Sequence, residues 1–189
     1  MRTVLIGACA ALGVMAAAAW AAPMQLRPAN PQPSGLKPGL AVTYAYPVDV
    51  KTLSDAKQSL AQTVKKGKPL KGMNYPDRGE GVKALTSDRD QVVAADIHGY
   101  IRFDQSGVYT LEFFSNDGLE VAIGGRQVAD YDAREPCSST GAVQVQVPQA
   151  GWYALSAVYF QRLGTSCLEM EWAPPGGGKK AVPNGNFGH

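Results

Sequence analysis

The chain has 189 residues, 18 Lys+Arg against 16 Asp+Glu, and 45% hydrophobic residues. So even a balance gives no general electrostatic bias toward nucleic acid or an anionic membrane, and neither is expected as a partner. Length and apolar fraction suit one domain with a full core, not a disordered chain.

Met1 to Ala21 reads as a secretory signal peptide: Arg2 supplies the positive start, Val4 to Ala19 is almost wholly small and apolar, and Ala19-Trp20-Ala21 fits a small-x-small cleavage pattern. A lipoprotein reading of Ile6-Gly7-Ala8-Cys9 is disfavoured because Cys9 comes before a full apolar run. No later stretch approaches the roughly 18 consecutive apolar residues of a membrane span. Without the leader, Cys137 and Cys167 remain. An even pair in an exported chain reads as one disulfide, with two free thiols as the alternative. A metal site is disfavoured, since the two are far apart and no histidine is near either in sequence.

Residues 22–38 are rich in Pro, Gly and Gln without periodicity, and predict a flexible lead-in. Leu40 to Tyr46 is a first strand. Ser54 is the expected cap of a short helix from Asp55 to about Lys66, with Ala56, Leu60, Ala61 and Val64 on one face and Gly67 beyond. Lys65, Lys66, Lys68 and Lys71 form a basic cluster that reads as a solvated helix end in preference to an anion site. Lys68 to Asp90 predicts a long loop.

The stretch Gly99 to Gly125, GYIRFDQSGVYTLEFFSNDGLEVAIGG, holds three alternating runs separated by Asp104-Gln105-Ser106-Gly107 and Ser115-Asn116-Asp117-Gly118. Period-2 runs broken by Gly, Asn and Asp predict an antiparallel meander with a polar tip. Arg126 to Asp130, Ala142 to Val147, Trp152 to Gln161 and Cys167 to Trp172 are further strands. The class is therefore all-β, a sandwich or barrel with one short helix near its N-terminus. From Gly177 onward a Gly-, Lys- and Asn-rich segment reads as a disordered tail.

These residues resemble the PA14 domain family. The likeness lies in the Gly-Tyr strand at Gly99-Tyr100, the Ser-Gly-x-Tyr-Thr turn at Ser106 to Thr110, and the Ser-Asn-Asp-Gly tip. It continues in Ala150-Gly151-Trp152-Tyr153, in Val158-Tyr159-Phe160, and in the closing Leu168-x-x-x-Trp172-x-x-Pro175-Gly176. It covers about residues 35–177. The resemblance implies a β-sandwich or barrel-like fold and a non-catalytic role in carbohydrate binding or interaction. In the family's sugar-binding adhesins, two acidic residues joined by a cis peptide hold a calcium ion that binds sugar hydroxyls. The matching positions are Asn116 and Asp117, and the amide supplies a neutral oxygen where a second carboxylate would stand, so weaker calcium binding is expected.

Calcium takes six to eight oxygens. Asp130, Asp132 and Glu135 follow the next strand and are candidates to complete the site. The expected metal ligands are Asn116, Asp117 and Asp130, and the expected glycan contacts are Asn116, Asp117, Tyr131 and Asp132. A plain turn at Asn116-Asp117-Gly118 is the competing reading. Trp152, Tyr153, Tyr159 and Trp172 lie in strand patterns and read as core; Tyr75 is a weaker contact candidate than Tyr131. Only His98 and His189 are present after the leader, with no Ser-His-Asp spacing and no G-x-S-x-G turn, which argues against an enzyme. The expected function is an exported, non-catalytic, glycan-binding module, periplasmic or extracellular. The alternative is a structural or protein-interaction module of the cell envelope that does not bind sugar.

Overall fold

A computed structural model describes residues 22–189, so the expected signal peptide lies outside the described residues. In chain order the elements are β1 (Met24–Gln25), β2 (Ala41–Ala45), α1 (Leu53–Leu60), β3 (Lys65–Lys66), β4 (Asn74–Arg78), β5 (Val93–Phe103), β6 (Gly107–Ser115) and β7 (Leu119–Ile123). There follow β8 (Arg126–Tyr131), β9 (Ser138–Val147), β10 (Gly151–Gln161), β11 (Ser166–Ala173), β12 (Lys180–Ala181), a 3₁₀ turn (Asn184–Asn186) and β13 (Phe187–Gly188). The all-β expectation with one short helix holds.

The strands form two sheets packed face to face. One runs β1-β9-β6-β11-β12, with β4 also on β11; the other runs β3-β2-β5-β10-β7-β8, with β13 on β5. Gly99–Gly125 is thus not a meander. β5 and β7 lie in the second sheet and β6 in the first, so the chain crosses the sandwich at both turns. Alternation records that each strand has one buried face, and such a face is satisfied as well by a partner across the core as by one alongside. Ile101, Phe103, Tyr109, Leu111, Phe113, Leu119, Val121 and Ile123 all point into the shared core.

One end of the sandwich is closed by a repeated device. Tyr109 and Tyr153 each follow a Gly-x step, and each hydroxyl donates to a carbonyl four residues earlier, Gln105 at 3.1 Å and Gln149 at 2.7 Å. The two rings, one from each sheet, meet the Phe103 ring edge-on at centroid distances of 4.8 and 5.2 Å. Such pairs add stability beyond their buried area. This gives a physical reason for both Gly-x-Tyr motifs.

Four expectations about local structure are corrected. The helix starts at Leu53 with Thr52 as its cap, not Ser54. The Asp55 N–H donates to the Thr52 hydroxyl at 3.0 Å, and the Thr52 N–H to the Asp55 carboxylate at 3.1 Å, a reciprocal box that fixes the first turn. It ends at Leu60, and Lys65–Lys66 pairs with Thr43 and Tyr44 as β3. Within the expected long loop, Asn74–Arg78 is a strand on β11. The expected disordered tail carries β12 and β13, with Val182 and Phe187 buried, and the expected flexible lead-in pairs Met24 and Gln25 with β9 and buries Leu26. A few apolar side chains anchor segments whose overall composition is polar.

Candidate functional site

The tip Ser115-Asn116-Asp117-Gly118 is the crossing from β6 to β7, and it is held from four sides. The Asn116 N–H donates to the Cys167 carbonyl (3.3 Å), the Asp117 N–H to the Glu135 carbonyl (3.2 Å), and the Phe160 N–H to the Gly118 carbonyl (3.0 Å). The Arg162 N–H donates to the Asp117 carboxylate at 2.6 Å. Asp117 sits at φ +59°, a left-handed conformation that aspartate tolerates better than most residues. Gly118 has no alternative, since a Cβ there would run into the Phe160 ring. The Asn116–Asp117 peptide is trans, which departs from the cis linkage that the resemblance implied.

Asn116 and Asp117 are each only 5% exposed. The Asn116 Oδ1 has no hydrogen-bond partner in the protein. Leaving such an oxygen unpaired costs on the order of 1–3 kcal/mol. Burial pushes the Asp117 carboxyl above its ordinary value, against the Arg162 N–H and the charges of Arg162 and Arg134. Both groups line an open basin of about 400 Å³, with Glu80, Arg134, Glu135 and Arg162 on its walls. The Arg162 guanidinium is fixed by Asp49, at 2.9 and 3.3 Å, and this hydrogen bonding is the largest influence holding the Asp49 carboxyl down at about 2.

Of the other predicted residues, all but Glu135 lie elsewhere. Asp132 accepts the Leu53 N–H at 2.8 Å and so helps to anchor the start of α1. Asp130 is exposed in β8 opposite Glu120, and Tyr131 is half-buried opposite Leu119; neither lines the basin. Glu135 does reach it. Tyr153, Tyr159 and Trp172 are core, as expected, while Trp152 is half-buried beneath the Arg102 guanidinium. Tyr75 is half-buried on β4, its hydroxyl accepting the Lys71 N–H at 3.3 Å. Sequence reasoning missed Arg134, Arg162, Asp49 and Glu80. Arg162 directly follows the expected strand Trp152 to Gln161, and nothing local to it announces a partner 45 positions away.

Among the described residues no group of three or more His, Cys, Asp or Glu is placed to hold a metal. Asn116 Oδ1 and the Asp117 carboxylate are the right kind of oxygen for calcium, but too few to hold it unaided. Cys137 and Cys167 are disulfide-bonded, with Cα atoms 5.8 Å apart, and the bond ties the loop carrying Glu135 to the start of β11. No helix among the described residues is long and apolar enough to cross a membrane.

The Asp117 environment has a measurable consequence. Its folded-state value lies above the unfolded one, so its contribution to stability is full below the ordinary aspartate value of 3.8 and is lost as pH rises through the folded value. Asp117→Asn keeps an acceptor for the Arg162 N–H and removes the titration. Its urea midpoint is expected to gain on that of the wild type as pH rises above 3.8. Parallel curves for the two proteins would remove Asp117 as the source.

These features define a two-layer antiparallel β-module with a buried polar tip where one sheet hands over to the other. The chain belongs to the PA14 domain family, whose model matches residues 37–186. The structure is similar to the PA14 domain of the antifreeze protein MpAFP, with a TM-score of 0.68 and 16% identity, covering 82% of this chain and 92% of that one. It is similar to a PA14 sugar-binding domain from an RTX adhesin, with a TM-score of 0.62 and 16% identity, covering 80% and 98%. It also resembles the Epithelial Adhesin 9 A domain of Candida glabrata, solved in complex with Galb1-4GlcNAc, with a TM-score of 0.66 and 12% identity, covering 87% and 94%. At these identities the likeness speaks for the fold. No curated relative matches the chain.

Proposed function

We propose that this chain is an exported, non-catalytic carbohydrate-binding module whose site is the basin at Asn116 and Asp117. The observation that carries the reading is the unpaired, buried Asn116 oxygen beside a buried carboxylate, both facing an open basin. Sugar hydroxyls donate and accept, and would satisfy both oxygens. Walls carrying Glu80 and Glu135 against Arg134 and an Arg162 already paired with Asp49 give the basin no excess of positive charge, which suits an uncharged polyol better than an anionic ligand. Membership of the PA14 family and the likeness to adhesin domains described with sugars support the same reading.

Calcium is the finer part of the proposal. Asn116 and Asp117 would hold the ion, and its charge would offset the cost of ionising Asp117 in a buried place. Export is supported by the leader-like Met1–Ala21 and by the disulfide.

A glycan array run with calcium and again with chelator tests this. Binding to neutral glycans is expected, weakened by chelator, and reduced about tenfold or more by Asp117→Ala, with folding checked by circular dichroism. Silence on the array, with a protein partner recovered by pull-down, would favour the cell-envelope interaction reading.

A further inference from the structure

The basic cluster in the sequence is rearranged by the fold. Lys71 is carried away beside Leu70 and Asn184. Lys65, Lys66 and Lys68 are joined instead by Lys83, and the four rim a second basin of about 460 Å³. It lies at the edge of the second sheet, against β2 and β3. Its one carboxylate, Asp88, is engaged by Lys65 at 2.6 Å. Lys66, Lys68 and Lys83 make no ion pair among the described residues. A near-neutral protein thus gathers three unpaired ammonium groups around one hollow.

The hollow is built, not merely exposed. Its floor is the loop from Lys83 to Asp88, pinned by two tyrosine hydroxyls. The Thr86 N–H donates to the buried Tyr44 hydroxyl at 3.1 Å, and the Asp88 N–H to the Tyr46 hydroxyl at 3.0 Å. The Thr86 hydroxyl donates to the Lys68 carbonyl at 2.7 Å, which ties the rim lysine to the floor. Leu85 holds φ +54°, an unfavourable conformation for a leucine that these bonds maintain. The half-buried Tyr46 lines the wall, its ring faced by the Arg89 guanidinium at 4.9 Å.

We propose that this basin is a second ligand site, which takes the carboxylate or sulfate groups of an acidic oligosaccharide. Ammonium groups on flexible stems are suited to anionic oxygens presented at varied angles. The volume of the hollow suits one or two sugar units. The site stands apart from the basin at Asn116 and Asp117, and its binding does not depend on that one.

The test is titration calorimetry with a sulfated hexasaccharide and with an oligogalacturonate, at low and at physiological salt. Both are expected to bind the wild type, more weakly as salt rises. Joint reversal of Lys66, Lys68 and Lys83 to Glu is expected to weaken both by about tenfold or more. Reversal of the same number of charges at Lys37, Lys71 and Lys180, and the variant Asp117→Ala, are expected to leave both unchanged. Equal losses from the two triple variants would mean diffuse attraction and overturn the proposal. So would absence of binding at low salt. Equally tight binding of single-stranded DNA, with the same dependence on Lys66, Lys68 and Lys83, would show a general polyanion surface and also overturn it.

Discussion

Phe160→Ala is expected to lower stability by about 3–5 kcal/mol, the usual range for emptying a fully buried phenylalanine site. Phe160 lies near the end of β10, where Tyr159, Phe160 and Gln161 are all buried. Strict alternation would leave the middle one exposed. Here Tyr159 enters the core between the sheets, while Phe160 points to the opposite face and is covered by Val50, Leu53 and Ala56 around α1. The same residue supports the tip, since its N–H bonds the Gly118 carbonyl and its ring stands where a Gly118 side chain would be. Urea unfolding reads the first effect. Glycan titration of the folded fraction reads the second, and a further loss of affinity is expected because Gly118 and then Asp117 gain freedom. Phe160→Leu should recover most of the stability. A loss under about 1 kcal/mol for the alanine variant would show that α1 does not depend on this ring.

Joint replacement of Cys137 and Cys167 by serine is the second large effect. The bond spans 30 positions, and by the loop-entropy account its removal costs about 3–4 kcal/mol. For a chain of this size that corresponds to roughly 10 °C in melting temperature. The bond is also close to the site. Cys167 offers its carbonyl to the Asn116 N–H, and Glu135, two positions before Cys137, offers its carbonyl to the Asp117 N–H. The serine variant should therefore lose affinity at the tip as well as stability. Calorimetry with and without reductant on the wild type checks both, and an unchanged melting temperature under full reduction would refute the stabilising role.

The strands were readable because one-faced burial writes a period of two into the sequence, as in Val143-Gln144-Val145-Gln146-Val147. Their partners were not, because β5, β6 and β7 have the same alternation whether neighbours pair or cross the core. The tip was readable from Asn116-Asp117-Gly118, whose turn chemistry is local. Its surroundings were not. Arg162 reaches Asp117 only because β10 and β7 are adjacent in one sheet, and Asp132, close to the tip in sequence, is drawn instead to the N-terminus of α1. The tail misled for a different reason: composition averaged over Gly177–His189 hides Val182 and Phe187, which decide where it lies.

The register places β1 and the aromatic end of the sandwich at one pole and the two basins at the other. Met24 lies beside Val145 and Phe187 beside Ile101, toward the end closed by Phe103, Tyr109 and Tyr153. Asn116, Arg162 and Tyr46 lie at the other end, where β6 finishes and β5 begins. The nine residues of β6 run between the poles, a distance of roughly 30 Å. A sensor surface or fluorescent reporter attached at Ser106, exposed in the turn between β5 and β6 at the aromatic pole, would therefore stand clear of both basins and leave them facing outward.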